Sequence, residues 1–195
     1  MFNLHGDGPS ILEGTLLTIE VSLASLAIAM LLGILGALAK LSKSVSLRIT
    51  AQSYTTIIRG IPDLVLMLLI FFGGQVFINQ MAPKLGYDAY IDINPFIAGV
   101  MTIGFIFGAY MTETFRGAIL AVPKGQKEAA TSSGLSGFQQ MRHIIMPQAM
   151  RSIIPPLVGQ YVLIIKDSSV VSAIGVVDVT RVGWLTVQRI PEGLM

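Results

Sequence analysis

The most informative segment of the chain is VPKGQKEAATSSGLSGFQQMRHIIMPQAM, residues 122–150, which is polar and lies between two apolar regions. It is too polar to cross a bilayer, whose core of about 30 Å needs roughly 20 apolar residues in a helix. It is also too long for a tight turn between neighbouring helices. The sequence therefore predicts a structured segment that projects from a membrane in which most of the chain is embedded.

Turn-forming residues divide this segment into two short helices. A first helix is predicted over residues 127–133, with Glu128 in its first turn, where the helix dipole favours a carboxylate. Gly134 suits the left-handed position that follows a helix, and Ser136 suits the cap of a second helix over residues 138–145. Such a projection fits a groove on another protein, and it also fits an interfacial helix lying on lipid headgroups. The residues themselves leave both interpretations open, and Pro147 then predicts a bend towards the next apolar region.

The composition supports a membrane location. Of the 195 residues 53% are hydrophobic and only 12% are charged, and the formal net charge is +2, far from the balance of a soluble domain. There is no cysteine, and the two histidines, His5 and His143, are far apart. These counts exclude disulfides and thiolate catalysis and make a histidine metal site implausible, so neither a catalytic residue nor a metal ligand is predicted.

Apolar regions predict an all-α integral membrane protein with one domain over residues 1–195. Three uncharged regions indicate transmembrane helices, at residues 21–39, 64–78 and 96–112. A fourth candidate, at residues 153–165, is shorter, and the mixed segment 178–192 is expected to form an extramembrane or interfacial helix. Glycines in close spacing, including Gly104 and Gly108, allow helices to approach, and we favour packing within the chain over a seam between subunits.

Basic residues predict the orientation, because Lys and Arg are concentrated in short cytoplasmic loops. Residues 40–59 carry four basic and no acidic side chains, and residues 116–151 carry five basic side chains against Glu128 alone. The N-terminal tail and residues 80–94 are acidic on balance. Both basic loops are therefore placed in the cytoplasm, and the N-terminus is placed outside.

The spacing within residues 122–150 resembles the EAA loop of type I ABC importer permeases, E-A-A-x3-G-x9-I-x-L-P. The matching residues are Glu128, Ala129, Ala130, Gly134, Ile144 and Pro147, with Met146 in place of the usual Leu. Such an exchange nearly conserves volume. Residues 53–75 and 108–130 further resemble the polar amino-acid branch of this family, in particular the Q-type subunit of histidine and of lysine, arginine and ornithine importers.

The resemblance implies a MetI-like transmembrane domain that uses the loop at about residues 121–150, through its six matching residues, to couple transport to ATP hydrolysis. Two permease subunits would pair, as a homodimer or with a related M-type subunit, in a bacterial cytoplasmic membrane. Two ABC ATPase subunits would bind ATP and Mg²⁺, and an extracytoplasmic protein would deliver the amino acid. The chain itself lacks the motif G-x-x-x-x-G-K-[ST], and we expect it to hold no cofactor and bind no nucleic acid.

The resemblance also sets an expectation for the C-terminal end. Permeases of this branch have a fifth span after the segment matching residues 178–192, and this sequence ends before it. Four spans are therefore visible and a fifth is expected, so that the chain is either truncated or a short member.

Ionisable residues near the spans are candidates for the substrate pathway, because charges are costly in a membrane. A cationic amino acid needs carboxylates and hydrogen-bond partners, and the candidates are Asp63, Tyr110, Glu113, Asp167 and Ser168. Local ion pairs are the alternative interpretation for two of the carboxylates. Arg59 would pair with Asp63, and Arg116 would pair with Glu113 one helical turn away.

Three other classes of protein fit the sequence less well. A membrane-embedded enzyme needs clustered catalytic side chains, which the sequence lacks. A channel or secondary transporter outside the ABC class should show inverted repeats or interrupted spans, and none is visible. A membrane anchor for a soluble partner remains an alternative that uptake measurements would separate from a permease.

Overall fold

The computed structural model describes residues 8–86 and 90–171 together with four separate positions, 180, 182, 184 and 185. In chain order its elements are α1 (Gly8–Leu41), α2 (Val45–Arg59), α3 (Asp63–Met81), a 3-10 turn (Pro83–Leu85), α4 (Pro95–Ala121), α5 (Lys124–Ser132), α6 (Gly137–Gln140), a π-helical turn (Met141–Ile145) and α7 (Met146–Val171). The part of the chain that the structure describes contains no strand, so the all-α prediction is confirmed. The helix predicted at residues 178–192 falls largely outside the described residues.

Three helices are long and apolar enough to cross a membrane, over Pro9–Leu41, Asp63–Leu85 and Pro95–Ala121. All three predicted spans are confirmed as helices, and each helix is longer than the uncharged region that predicted it. Helices α1 and α4 extend furthest, since both continue as packed helices beyond the apolar core of their sequences. The fourth candidate also forms a helix, α7, but does not reach the apolarity of the other three within the described residues.

Helix α4 is the centre of the fold. In its most apolar stretch 61% of the residues are buried, against 33% for α1 and 11% for α3. Helix α4 contacts α1, α2, α3 and α7, and its Ile103, Ile106 and Phe107 are almost completely buried. Helix α3 instead exposes large apolar side chains such as Leu69 and Phe77, which suits a helix that faces lipid or a further protein surface.

Glycines on α4 allow α1 to pack directly against it. A Cβ atom added to Gly104 would lie 2.7 Å from the Cβ of Ile28, and one added to Gly108 would lie 2.8 Å from the Cβ of Leu32. Both distances are too short for carbon atoms that are not bonded, so only glycine fits. The predicted packing of the small residues within the chain is confirmed.

Helix α2 was not predicted, because the charge pattern of residues 40–59 indicates only a basic loop. It buries Ala51, Thr55 and Ile58 and exposes most of its other side chains. The helix has only 15 residues and mixes polar with apolar side chains, so neither its length nor its composition marks it as a span. Its position against α1 and α4 brings the basic loop back onto the helices that it connects.

Candidate functional site

Helix α5 ends in the left-handed turn that the sequence predicts. Gly134 has φ +73°, and the backbone N–H of Leu135 donates to the carbonyl of Ala130 at 3.1 Å. The N–H of Gly134 donates to the carbonyl of Thr131 at 3.0 Å. This pair of hydrogen bonds is a Schellman motif, which satisfies the last carbonyls of the helix and fixes the direction of the chain after it.

Helix α6 begins with the predicted cap at Ser136. The Ser136 hydroxyl accepts from the backbone N–H of Gln139 at 3.4 Å, and the Gln139 side chain accepts from the N–H of Ser136 at 2.9 Å. The Gln140 amide donates to the Leu135 carbonyl at 2.8 Å and to the Thr131 hydroxyl at 3.1 Å. The two short helices are therefore held together by side-chain bonds as well as by their turn, and we refer to residues 124–140 as the α5–α6 loop.

One prediction for this segment is wrong. Helix α5 begins at Lys124, so Glu128 lies in its second turn and not in the first, where the dipole argument applies. At Pro147 the chain stays helical, because the π-helical turn continues directly into α7, and the bend there stays a prediction. Pro147 has no N–H to donate to the carbonyl of His143, and a wide turn immediately before a proline accommodates the missing bond.

The six residues that match the loop motif divide by exposure. Glu128, Ala129, Gly134 and Pro147 are exposed, Ile144 is half-buried, and Ala130 is only 2% exposed. Ala130 therefore anchors α5 on the body of the protein, while Glu128 and Ala129 are available to another molecule. Their role in coupling is still a prediction.

A buried polar cluster lies where α1, α2 and α4 meet. The Lys40 ammonium donates to Glu113, to the Thr55 hydroxyl at 2.6 Å and to the Gln52 side chain at 2.8 Å. Arg116 lies 3.6 Å from the other oxygen of Glu113. The predicted Glu113–Arg116 pair is confirmed, but Lys40, which was not predicted as a partner, lies closer to Glu113.

A second polar cluster joins α3, α4 and α7. The Tyr110 hydroxyl donates to Asp63 at 3.1 Å, and the Arg59 guanidinium lies over the Tyr110 ring, 5.5 Å from its centroid. Asp167 is close enough to interact electrostatically with both Asp63 and Tyr110. The predicted direct ion pair between Arg59 and Asp63 is wrong, since the two side chains meet through Tyr110.

The structure thus brings together three of the five pathway candidates, Asp63, Tyr110 and Asp167. Glu113 belongs to the Lys40 cluster, and the Ser168 hydroxyl is buried and bonded to the carbonyl of Ile165 at 2.6 Å. Sequence reasoning missed Gln160, whose amide nitrogen donates to Thr114 at 2.9 Å. The side-chain oxygen of Gln160 is buried with no hydrogen-bond partner among the described residues. A polar side chain in the middle of an apolar helix is the signal that could have identified it.

An all-helical fold with three apolar spans and a hydrogen-bonded polar loop before α7 defines a multi-pass membrane protein. Residues 29–190 match the family described as binding-protein-dependent transport system inner membrane component. The chain therefore belongs to this family, and the expected membership is confirmed.

Named relatives and a solved structure agree with this assignment. The chain is 47% identical over 178 residues to the histidine/lysine/arginine/ornithine transport system permease protein HisQ of Salmonella typhimurium, covering 91% of this chain and 78% of that protein. It is 40% identical to the nopaline transport system permease protein NocQ of Agrobacterium fabrum, covering 90% and 75%. It resembles the crystal structure of an amino acid ABC transporter with histidines, with a TM-score of 0.78 and 34% identity over 93% of this chain and 79% of that chain.

These matches establish the fold and the general role. The fold is the MetI-like transmembrane domain of type I ABC importers, and the chain is a permease subunit of such an importer. An inner-membrane family and three apolar helices indicate a multi-pass membrane protein. The channel, secondary transporter and anchor alternatives are not favoured.

Proposed function

We propose that this permease imports polar amino acids, in particular basic ones, and that a partner ATPase drives the transport. Two observations support the substrate class. The relatives named above are permeases for histidine, lysine, arginine, ornithine and nopaline. The cluster of α3, α4 and α7 contains two half-buried carboxylates, Asp63 and Asp167, which attract a cationic side chain or ammonium group.

The same cluster suggests how a substrate would be held. Asp63 and Asp167 would receive the positive groups of the amino acid, and the Tyr110 hydroxyl would orient Asp63. Arg59, over the Tyr110 ring, would attract the substrate carboxylate. We retain Glu113 and Ser168 as pathway candidates in this proposal, although their present hydrogen bonds serve the fold.

The observation that carries the coupling proposal is the geometry of the α5–α6 loop. Ala130 is buried and Gln140 joins the two short helices to each other, while Glu128 and Ala129 form the exposed face of the loop. A rigid projection transmits a displacement, whereas a flexible loop would absorb it. In this proposal the six motif residues dock into a groove of the ATPase, and Gly134, Ile144 and Pro147 shape the segment. Movement of the ATPase then moves α4 and α7.

The proposed assembly contains two permease subunits, either identical or paired with a related M-type subunit. Two ABC ATPase subunits bind ATP and Mg²⁺, and a binding protein delivers the amino acid from outside. The distribution of basic residues supports an α5–α6 loop in the cytoplasm and an N-terminus outside the bacterial cytoplasmic membrane. The chain acts as a single transmembrane permease domain and has no ATP site of its own.

ATP-dependent uptake tests the proposal. Vesicles containing this chain, its ATPase and its binding protein should accumulate labelled arginine or histidine in preference to glutamine. Glu128→Lys should lower uptake at least tenfold while the permease still inserts, because it reverses the charge on the exposed face of α5. Gln126→Lys is the control, since it also introduces a lysine at an exposed position of the same helix but removes no carboxylate, and it should retain most activity.

Two results would contradict the proposal. Equal losses in both variants would show that the loop responds to any added positive charge and that Glu128 has no particular role. Absence of ATP-dependent uptake for every amino acid tested, with all partners present, would overturn the substrate class.

A further inference from the structure

Two adjoining hollows lie at the end of α1, beside α2 and α4. One has a volume of about 350 Å³ and is lined by Lys40, Arg48, Ile49, Gln52, Ser53 and Arg116. The other has a volume of about 460 Å³ and includes Arg59, Thr56 and Glu113 in its lining. Gln52 and Arg116 line both, so the two hollows form one continuous depression, which we refer to as the α2 depression.

The α2 depression has an excess of positive charge. Lys40, Arg48, Arg59 and Arg116 line it against a single carboxylate, Glu113. Lys40 is buried and bonded to that carboxylate, and Arg116 is 3.6 Å from its second oxygen. No carboxylate of the described residues lies within 4 Å of Arg48 or Arg59. The guanidinium group of Arg48 is therefore available to an anion with several acceptor oxygens, such as a phosphate group. Arg116 is 40% exposed and has further N–H donors besides the one nearest Glu113.

Apolar side chains adjoin this positive surface. Ile49 lines the depression and is 60% exposed, and Val45, one turn earlier on α2, is 57% exposed. The depression also lies where the apolar helix α1 ends at Leu41, and the end of a membrane-spanning helix is expected near the membrane surface. A ligand that matches both properties has an anionic head and an apolar tail, whereas a free anion would leave Ile49 and Val45 uncovered.

We propose that the α2 depression binds the headgroup of an anionic phospholipid. Arg48 and Arg116 bind the phosphate oxygens, the hydroxyl and amide groups of Ser53 and Gln52 bind the polar part of the headgroup, and Ile49 covers the start of an acyl chain. Basic pockets between transmembrane helices near the cytoplasmic surface are known to select anionic lipids on these physical grounds. A lipid seated here joins α1, α2 and α4 at the base of the helix that leads into the α5–α6 loop.

Lipid binding to the assembled importer, purified in detergent, tests this inference without any transported substrate. Titration with phosphatidylglycerol and with phosphatidylcholine, followed by native mass spectrometry, should show retention of the anionic lipid. The double variant Arg48→Gln with Arg116→Gln should weaken phosphatidylglycerol binding at least fivefold. The matched control, Lys43→Gln with Arg151→Gln, removes the same charge from two exposed residues outside the depression and should change binding less than twofold.

A conservative variant distinguishes loss of the lipid site from a folding defect. Arg48→Lys with Arg116→Lys keeps the charge but loses the planar, two-point geometry, and should bind with intermediate strength. Equal losses in the glutamine variant and its control would overturn the proposal, because charge alone would then explain binding. Binding of inorganic phosphate without the lipid, or release of the ATPase by the glutamine variant, would also overturn it, by showing a free-anion site or a protein contact.

Discussion

At the scale of single residues, Lys40 shows how a charge is kept inside this fold. Its ammonium carries three N–H donors, and the structure gives it three acceptors, on Glu113, Gln52 and Thr55. The side chain is only 4% exposed, and that of Glu113 is 24% exposed. A buried ammonium is tolerated only when its donors are satisfied and its charge is balanced. The cluster therefore depends on Glu113 more than on either neutral partner.

Removal of the Glu113 charge should destabilise the permease. Glu113→Gln leaves Lys40 buried without a counter-charge, a change that costs about 3–5 kcal/mol in other proteins. We expect a clear decrease in the melting temperature of the purified permease in detergent. The double variant Lys40→Met with Glu113→Leu should recover most of the loss, because it removes both charges and retains volume.

Arg116→Gln serves as the control for this cluster, since the Arg116 side chain is 40% exposed and 3.6 Å from Glu113. Exposed pairs contribute about 0–1 kcal/mol, so its melting temperature should change little. A Glu113→Gln variant as stable as the wild type would show that the pair is not important for stability.

The two polar clusters also show which contacts between residues can be predicted from the sequence. Glu113 and Arg116 are one helical turn apart, so their proximity follows from helix geometry alone. Lys40 is 73 positions from Glu113, and nothing in the local pattern relates the two. Tyr110 was predicted as a pathway residue, but its position between Arg59 and Asp63 depends on how α3 packs on α4. Contacts between helices were therefore missed while contacts within a helix were predicted.

At the scale of helices, the contact between α1 and α4 should be sensitive to a single methyl group. Gly104→Ala places a Cβ atom 2.7 Å from that of Ile28, which forces the helices apart and should cost about 1–3 kcal/mol. Gly117→Ala is the matched control in the same helix, because its Cβ atom would meet nothing within 4 Å. The melting temperature should fall for Gly104→Ala and stay level or rise for Gly117→Ala, which improves helix propensity. Equal effects would mean that the interface is looser than the structure shows.

Helix boundaries were likewise predicted only where the signal is local in the sequence. The spans, Gly134 and the Ser136 cap were predicted because apolar length, left-handed glycine and capping side chains are local signals. Helix α2 and the π-helical turn before Pro147 were not predicted. Both depend on neighbours, since α2 is stabilised by the face that it buries on α1 and α4. The continuation of α7 through Pro147 needs a wide turn that no residue pattern specified.

At the scale of the whole molecule, both polar clusters and the α2 depression are arranged around α4. Its buried centre packs on α1, and one end carries the Lys40 cluster and the α2 depression and leads into the α5–α6 loop. The second cluster, with Asp63 and Asp167, joins α4 to α3 and α7. A displacement of the loop would therefore move the helix that contributes to both clusters. This arrangement relates the proposed coupling surface to the proposed pathway through one rigid element.

At the same scale, the proposed connection to an ATPase requires that the α5–α6 loop faces the cytoplasm. The sequence allows this orientation to be tested. The chain has no cysteine, so a single introduced cysteine gives an unambiguous label. Gln126→Cys on α5 and Ser10→Cys near the start of α1 are both exposed positions. A membrane-impermeant maleimide should label Gln126→Cys only in inverted vesicles and Ser10→Cys only in right-side-out vesicles, because the basic loops favour the cytoplasm. The reverse pattern would place the α5–α6 loop outside, where no ATPase can reach it, and would overturn the coupling proposal while leaving the fold intact.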